Sequence, residues 1–157
     1  GEWRKSLEKQ NIVPVLQKFG KRLQSDGSLV RREIIFEIQL PESVILPFDE
    51  QLLVRALDNL CGNAFRYTQE EDTIILSCLQ KNTTLEIAVS DSGFGIAKED
   101  LPFIFDTFYR GSNSRREEGT GLGLSVVQSI VQSHGWRITV ESQLKEGTTF
   151  TISIPLC

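Results

Sequence analysis

At 157 residues, with 39% hydrophobic and 24% charged side chains, the chain has the size and balance of one globular domain with a buried core. A net charge of −4 without any basic stripe excludes nucleic acid as the main partner. No apolar run approaches the ~18 residues that mark a bilayer-spanning helix. Three widely spaced cysteines, an odd number, indicate buried reduced thiols and a reducing compartment rather than a disulfide framework.

Ile12, Val15, Leu16, Phe19 and Leu23 recur at helical spacing, with Pro14 tolerable in a first turn. The spacing predicts a helix over residues 11–24, closed by a turn at Ser25-Asp26-Gly27-Ser28. Ile34, Phe36 and Ile38 alternate with Glu33, Glu37 and Gln39, a strand with one buried face. Pro41 to Pro47 reads as a connection. A long helix follows from an N-cap at Asp49 to Tyr67, with Leu52, Leu53, Ala56, Leu57, Leu60, Cys61 and Ala64 as its apolar stripe. Asn59, Asn63 and Arg66 fall at i, i+4 and i+7 and share one strip beside that stripe. Asparagine is a poor helix-interior residue. The strip is either a solvated face or a set of amide oxygens for a hard cation with a cationic neighbour for phosphate.

Thr73 to Leu79 and Leu85 to Asp91 read as two strands around Lys81-Asn82-Thr83, which places Asp91 at a strand end. A short helix is expected at Lys98 to Leu101 and a polar loop at Gly111 to Glu118. A third long helix runs from near Gly121 to Ser133, stopped by Gly135. Arg137 to Ser142 and Thr148 to Ile154 form a last strand pair. Strands concentrated in one half and helices with a single apolar face predict an α+β, two-layer sandwich and not a doubly wound sheet.

Two glycine clusters flank the polar loop: Asp91-Ser92-Gly93-Phe94-Gly95 and Gly119-Thr120-Gly121-Leu122-Gly123-Leu124-Ser125. The second opens a helix, where unpaired N–H groups and the positive dipole end suit phosphate. Such clusters mark ordinary turns as well as nucleotide sites, and neither is a GxxxxGK[ST] or a strand-borne GxGxxG loop.

Taken together, the segments resemble a known family. Asp58-Asn59-Leu60-Cys61-Gly62-Asn63-Ala64-Phe65-Arg66-Tyr67-Thr68 resembles the asparagine box of sensor histidine kinases, and Asp91-Ser92-Gly93-Phe94-Gly95-Ile96 their first glycine box. Phe105-Asp106-Thr107-Phe108-Tyr109-Arg110 is similar to the phenylalanine box, Gly119 to Ser125 to the second glycine box, and Glu146 to Pro155 to the closing hairpin. The resemblance covers residues from about 30 to 157. It implies a mixed five-stranded sheet backed by three helices, the Bergerat ATP-binding fold. Residues 25–157 would be the catalytic domain, and residues 1–24 a linker and first helix with the tail of a dimerisation helix.

By the resemblance, Asn63 would coordinate Mg²⁺, with Asn59 assisting at the metal or the phosphates. Arg66 stands where the family usually has lysine and would contact phosphate as a planar fork. Tyr67 would lie against adenine, and Asp91 would accept the adenine amino proton. Gly93, Gly95 and Ile96 would shape the floor of the pocket. Arg110 would reach the terminal phosphates, Gly119, Thr120, Gly121, Leu122, Gly123 and Leu124 would bring backbone to them, and Thr148 would sit near Asp91 through a water. The implied reaction is phosphoryl transfer from Mg·ATP to a histidine, which rests on positioning and charge neutralisation. Asn59, Asn63, Arg66 and Arg110 would carry it. The sole histidine, His134, lies outside any acceptor motif. The acceptor would therefore be on dimerisation helices of the parent protein, with a response regulator as onward partner. The piece is expected to be monomeric and to be the cytoplasmic part of a membrane-bound sensor. Competing readings are a clamp-type ATPase, a serine-directed kinase of the same fold, and a degenerate domain that binds without catalysis. Asn59 stands where the ATPases carry their water-activating glutamate, which disfavours the first.

Overall fold

Strand alternation and helical stripes meet across one apolar layer. The computed structural model describes residue 3 and residues 6–106 and 123–156. Its elements in chain order are β1 (Lys9–Asn11), α1 (Ile12–Leu29), β2 (Glu33–Gln39), β3 (Ile45–Pro47), α2 (Glu50–Arg66), β4 (Thr73–Lys81) and β5 (Thr84–Asp91). A 3-10 turn (Leu101–Phe103), α3 (Gly123–Ser133), β6 (Arg137–Gln143) and β7 (Gly147–Pro155) follow. The five-stranded sheet has the order β2-β4-β5-β7-β6, with β2 parallel to β4 and every other pair antiparallel. The expected α+β sandwich of a mixed five-stranded sheet and three helices is therefore present. No described helix is long and apolar enough to cross a membrane.

The core lies between sheet and helices because each strand presents every second residue inward. Ile74, Leu76 and Cys78 on β4, Leu85, Ile87 and Val89 on β5, and Phe150, Ile152 and Ile154 on β7 are all buried. They meet Leu53, Leu57, Leu60 and Ala64 of α2, and Val127, Ile130 and Val131 of α3. Burying each large side chain contributes about 1.5–3 kcal/mol. Burial pushes the thiols of both Cys61 and Cys78 up to about 12, so they stay protonated and inert.

Three local expectations are corrected. The turn expected at Ser25 to Ser28 is helix, since α1 continues to Leu29. Gly27 serves packing there, not turning: a Cβ on it would overlap the Ile34 side chain, and one on Gly20 the ring of Phe36. A helix with two bare positions seven apart lets β2 lie close against it. The helix ends at Val30, where the N–H groups of Val30 and Arg32 both reach the Gly27 carbonyl and Arg31 takes a left-handed φ of 57°. The connection from Pro41 to Pro47 contains β3, which pairs antiparallel with β1. Asn11 holds that corner, its Oδ1 accepting the N–H of Val13 at 3.1 Å and of Val44 at 3.0 Å. The segment near Lys98 forms turns, and its helical part is the 3-10 turn Leu101–Phe103.

His134 ties α3 to the start of α2. Its Nδ1 lies 2.9 Å from the Ile130 carbonyl, and its Nε2 accepts the Asp49 N–H at 3.1 Å. The ring stacks on Trp136 with centroids 4.1 Å apart and meets Trp3 edge-on. This geometry requires the neutral Nδ1–H imidazole. Burial, opposed by the Ile130 carbonyl and by Asp49, holds its pKa below the ordinary 6.5. A depressed histidine contributes stability above its unfolded pKa and loses it as pH falls through the folded one. His134→Gln should therefore be less stable than wild type at pH 7.5. The gap between the two urea midpoints should narrow as pH drops below 6.5.

Candidate nucleotide-binding site

The site grows from the C-terminal half of α2. Asp49 starts that helix by accepting the Leu52 N–H at 2.9 Å, which sets the phase of everything downstream. Asn63 is 8% exposed although it is polar, so it is enclosed by the fold and not on a solvated face. Its Oδ1 accepts a hydrogen bond from Arg66 Nη1 at 3.0 Å. Asn59, one turn earlier, donates to the Gly123 carbonyl at 3.4 Å, which ties α2 to the first turn of α3. Asp58 points away and pairs with Arg22 of α1. Tyr67 closes the helix: its N–H donates to the Asn63 carbonyl at 3.0 Å and its carbonyl accepts the Phe94 N–H at 3.1 Å.

Arg32 fastens this end of the helix from outside. Its Nε donates to Thr68 Oγ1 at 2.8 Å, and its Nη2 to the carbonyls of Thr68 at 2.7 Å and Phe65 at 3.3 Å. A guanidinium fork across orphan carbonyls favours the helix C-terminus by both hydrogen bonding and the dipole. Arg32→Ala should cost about 2–3 kcal/mol in denaturant unfolding, and lysine should not restore it because one ammonium cannot span three acceptors.

On the sheet, Asp91 ends β5 directly opposite Thr148 on β7. Its Oδ1 accepts the Gly93 N–H at 2.9 Å. Burial raises the carboxyl from 3.8 to about 6, against the Gly93 and Thr148 amides that favour the anion; Asp72 adds a smaller push upward. A buried carboxyl with a raised pKa at a strand end is a candidate functional group. The loop after it is clamped on both sides. A Cβ on Gly93 would strike the Tyr67 carbonyl, and one on Gly95, whose φ is +76°, the Gln143 carbonyl. The Phe94 carbonyl accepts the Lys145 N–H at 2.7 Å, and the Ile96 N–H donates to Ser142 Oγ at 2.7 Å. The side chains of Ile96 and Leu124 pack against the core.

The structure thus brings Asn59, Asn63, Arg66 and Tyr67 along one helix to the loop that carries Gly93, Gly95 and Ile96. Asp91 and Thr148 meet in register on the sheet, and Gly123 and Leu124 open α3. Arg110, Gly119, Thr120, Gly121 and Leu122 lie outside the described residues. Among the described residues no three His, Cys, Asp or Glu side chains cluster as a metal cage. The hard amide oxygen of Asn63 would suit Mg²⁺, which would supply charge neutralisation there.

Sequence reasoning missed three supporting residues. Gly147, at φ +128°, lets β7 pass the Asp91 carbonyl, which any Cβ would overlap. Ser142 bridges loop and hairpin. Its signal was present, since Ile138, Val140 and Ser142 share one face and a serine ends that otherwise apolar inward row. Arg32 gave no periodic signal, because the partners that matter lie at the C-terminus of α2, distant in sequence.

A family model described as "Histidine kinase-, DNA gyrase B-, and HSP90-like ATPase" matches residues 48–157. Sensor protein SrrB of Staphylococcus aureus is 39% identical over 110 residues, covering 69% of this chain and 19% of SrrB, so the chain spans about a fifth of that relative's length. The mycobacterial sensor histidine kinase MprB shares the fold with a TM-score of 0.81 at 24% identity, over 94% of this chain and 97% of that one. Histidine kinase ThkA, solved in complex with response regulator TrrA, gives 0.77 at 23% identity, over 96% of this chain and 42% of that one. The chain belongs to the histidine kinase-, DNA gyrase B- and HSP90-like ATPase family, and within it to the ATP-binding catalytic domains of sensor histidine kinases.

Proposed function

We propose that this domain binds Mg·ATP in the cleft between α2 and the loop after β5 and transfers the γ-phosphate to a histidine carried outside these residues. The observation that carries the reading is the joining of two polar walls. Asn63 and Asp91 are held to one frame through Tyr67, whose N–H bonds the Asn63 carbonyl and whose carbonyl bonds the loop that follows Asp91.

In this reading Asp91 and Thr148 face the adenine amino group, Tyr67 and Ile96 flank the base, and Gly93 and Gly95 keep the loop low enough for it to enter. Asn63, with Asn59 beside it, would hold Mg²⁺, which supplies charge neutralisation at the phosphates. Arg66 now occupies the Asn63 oxygen and would turn to the phosphates when that oxygen is taken. Arg110 and the backbone of Gly119 to Leu124 would complete the anion site. Asn59 carries no carboxylate to activate water, which favours transfer over hydrolysis.

The acceptor imidazole must come from elsewhere. The sole histidine of the chain has both ring nitrogens engaged, by Ile130 and Asp49, and offers neither to a phosphoryl group. Dimerisation helices of the parent protein fit that role, and a response regulator the next one, as in the ThkA complex with TrrA. In this reading the domain lies on the cytoplasmic side of a sensor. Calorimetric titration with ATP, with and without Mg²⁺, tests the site. Metal-dependent binding, followed by phosphohistidine on an added helix pair, is expected; a folded chain that binds no nucleotide would falsify the proposal.

A further inference from the structure

Three side chains stand in one row across the sheet on its helix-facing side: Asp91 on β5, Thr148 on β7 and Ser142 on β6, in register with one another. Ser142 Oγ makes three contacts. It accepts the Ile96 N–H at 2.7 Å, donates to the Gly147 carbonyl at 3.0 Å, and lies 2.7 Å from Thr148 Oγ1. A hydroxyl has one hydrogen and two lone pairs. With its hydrogen committed to Gly147 and one lone pair to Ile96, Ser142 can meet Thr148 only as an acceptor. Thr148 must therefore spend its own hydrogen on Ser142. What its oxygen presents beside Asp91 is lone pairs alone.

We propose that Ser142 is a specificity-determining positioning residue. By fixing the direction of the Thr148 hydroxyl, it turns the end of the base pocket into two adjacent acceptors, which select a 6-amino purine and reject a 6-oxo purine. This inference rests on the ATP-site reading and extends it to a residue that never touches the nucleotide. Buried acceptors discriminate strongly because a carbonyl that faces them directly leaves them unpaired. Thr148, being 7% exposed, has little bulk water with which to reverse its polarity. Once Ser142 is gone, Thr148 is free to rotate and donate to a 6-oxo group.

The test compares ATP with ITP, which differ at the 6-position, by calorimetry on wild type, Ser142→Ala, Ser142→Thr and Thr148→Val. The ATP-to-ITP affinity ratio should fall about tenfold in Ser142→Ala and return towards wild type in Ser142→Thr. Thr148→Val should lower the ratio similarly, and Ser142→Cys, near-isosteric but a weaker hydrogen-bond partner, replaces Ser142→Ala if that variant fails to fold. A loosened pocket would weaken both nucleotides in parallel. An unchanged ratio in either Ser142→Ala or Thr148→Val overturns the proposal while leaving the ATP site standing. A folded wild type that binds neither nucleotide overturns the ATP-site reading, and this inference with it.

Discussion

Asp91→Asn is expected to make the domain more stable at neutral pH while weakening ATP binding about a hundredfold. The carboxyl titrates near 6 when folded and at 3.8 when free. A raised folded pKa contributes stability that is fully present below 3.8 and lost as pH rises through about 6. At pH 7.5 the wild type therefore keeps a buried anion that burial disfavours. Removing that charge should return roughly 1–2 kcal/mol, less than the full linkage because asparagine retains only part of the amide contacts. The Gly93 N–H can still donate to the asparagine oxygen, so the loop should hold. The adenine amino group, however, loses an anionic acceptor. Thermal unfolding from pH 5 to 8, with calorimetry at pH 7.5, checks both halves. A variant that is destabilised and also fails to bind would mean that Asp91 serves the fold alone.

The same titration gives a pH signature that one residue alone would not. As pH falls from 7.5 to 5, protonation of Asp91 strengthens the fold while protonation of His134 weakens it. The wild-type curve should be flatter than that of either variant. Asp91→Asn should expose the loss due to His134, and His134→Gln the gain due to Asp91.

Much of this architecture was legible because its signals are local. Period-two alternation fixed the inward rows of β4, β5 and β7, and the α2 stripe could be read from Leu53 to Ala64 without any partner in view. Asn59, Asn63 and Arg66 needed only helical geometry to be placed on one strip, and Asp91 only the end of an alternating run. The features that escaped depend on what another segment does. Gly27 carries the local signature of a turn, and only the arrival of Ile34 against its bare Cα shows why the helix runs on. β3 is three residues long and exists through its pairing with β1. The value of Ser142 and Arg32 lies in partners brought from other segments, backbone and hydroxyl alike, which no periodicity announces.

Two glycine-to-alanine substitutions should move stability in opposite directions, and the contrast separates conformational from steric causes. Gly62 lies inside α2, and among the described residues nothing comes within 4 Å of where its Cβ would sit. Alanine there lowers the entropy of the unfolded chain without a clash and should stabilise by about 0.5–1 kcal/mol. Gly147 opens β7 at φ +128°, a region that L side chains rarely enter, and its Cβ would overlap the Asp91 carbonyl. Neither cause can relax cheaply, because the obstruction is backbone within a paired register and not the end of a flexible side chain. Gly147→Ala should therefore cost about 3 kcal/mol or more, with the damage centred where Asp91 meets Thr148. Urea unfolding gives the two signs. Nucleotide binding gives the location, since Gly147→Ala should lose ATP affinity even under conditions where it stays folded. If Gly147→Ala kept full affinity and stability, β7 would have another route past Asp91, and the row Asp91–Thr148–Ser142 would no longer be fixed by the hairpin.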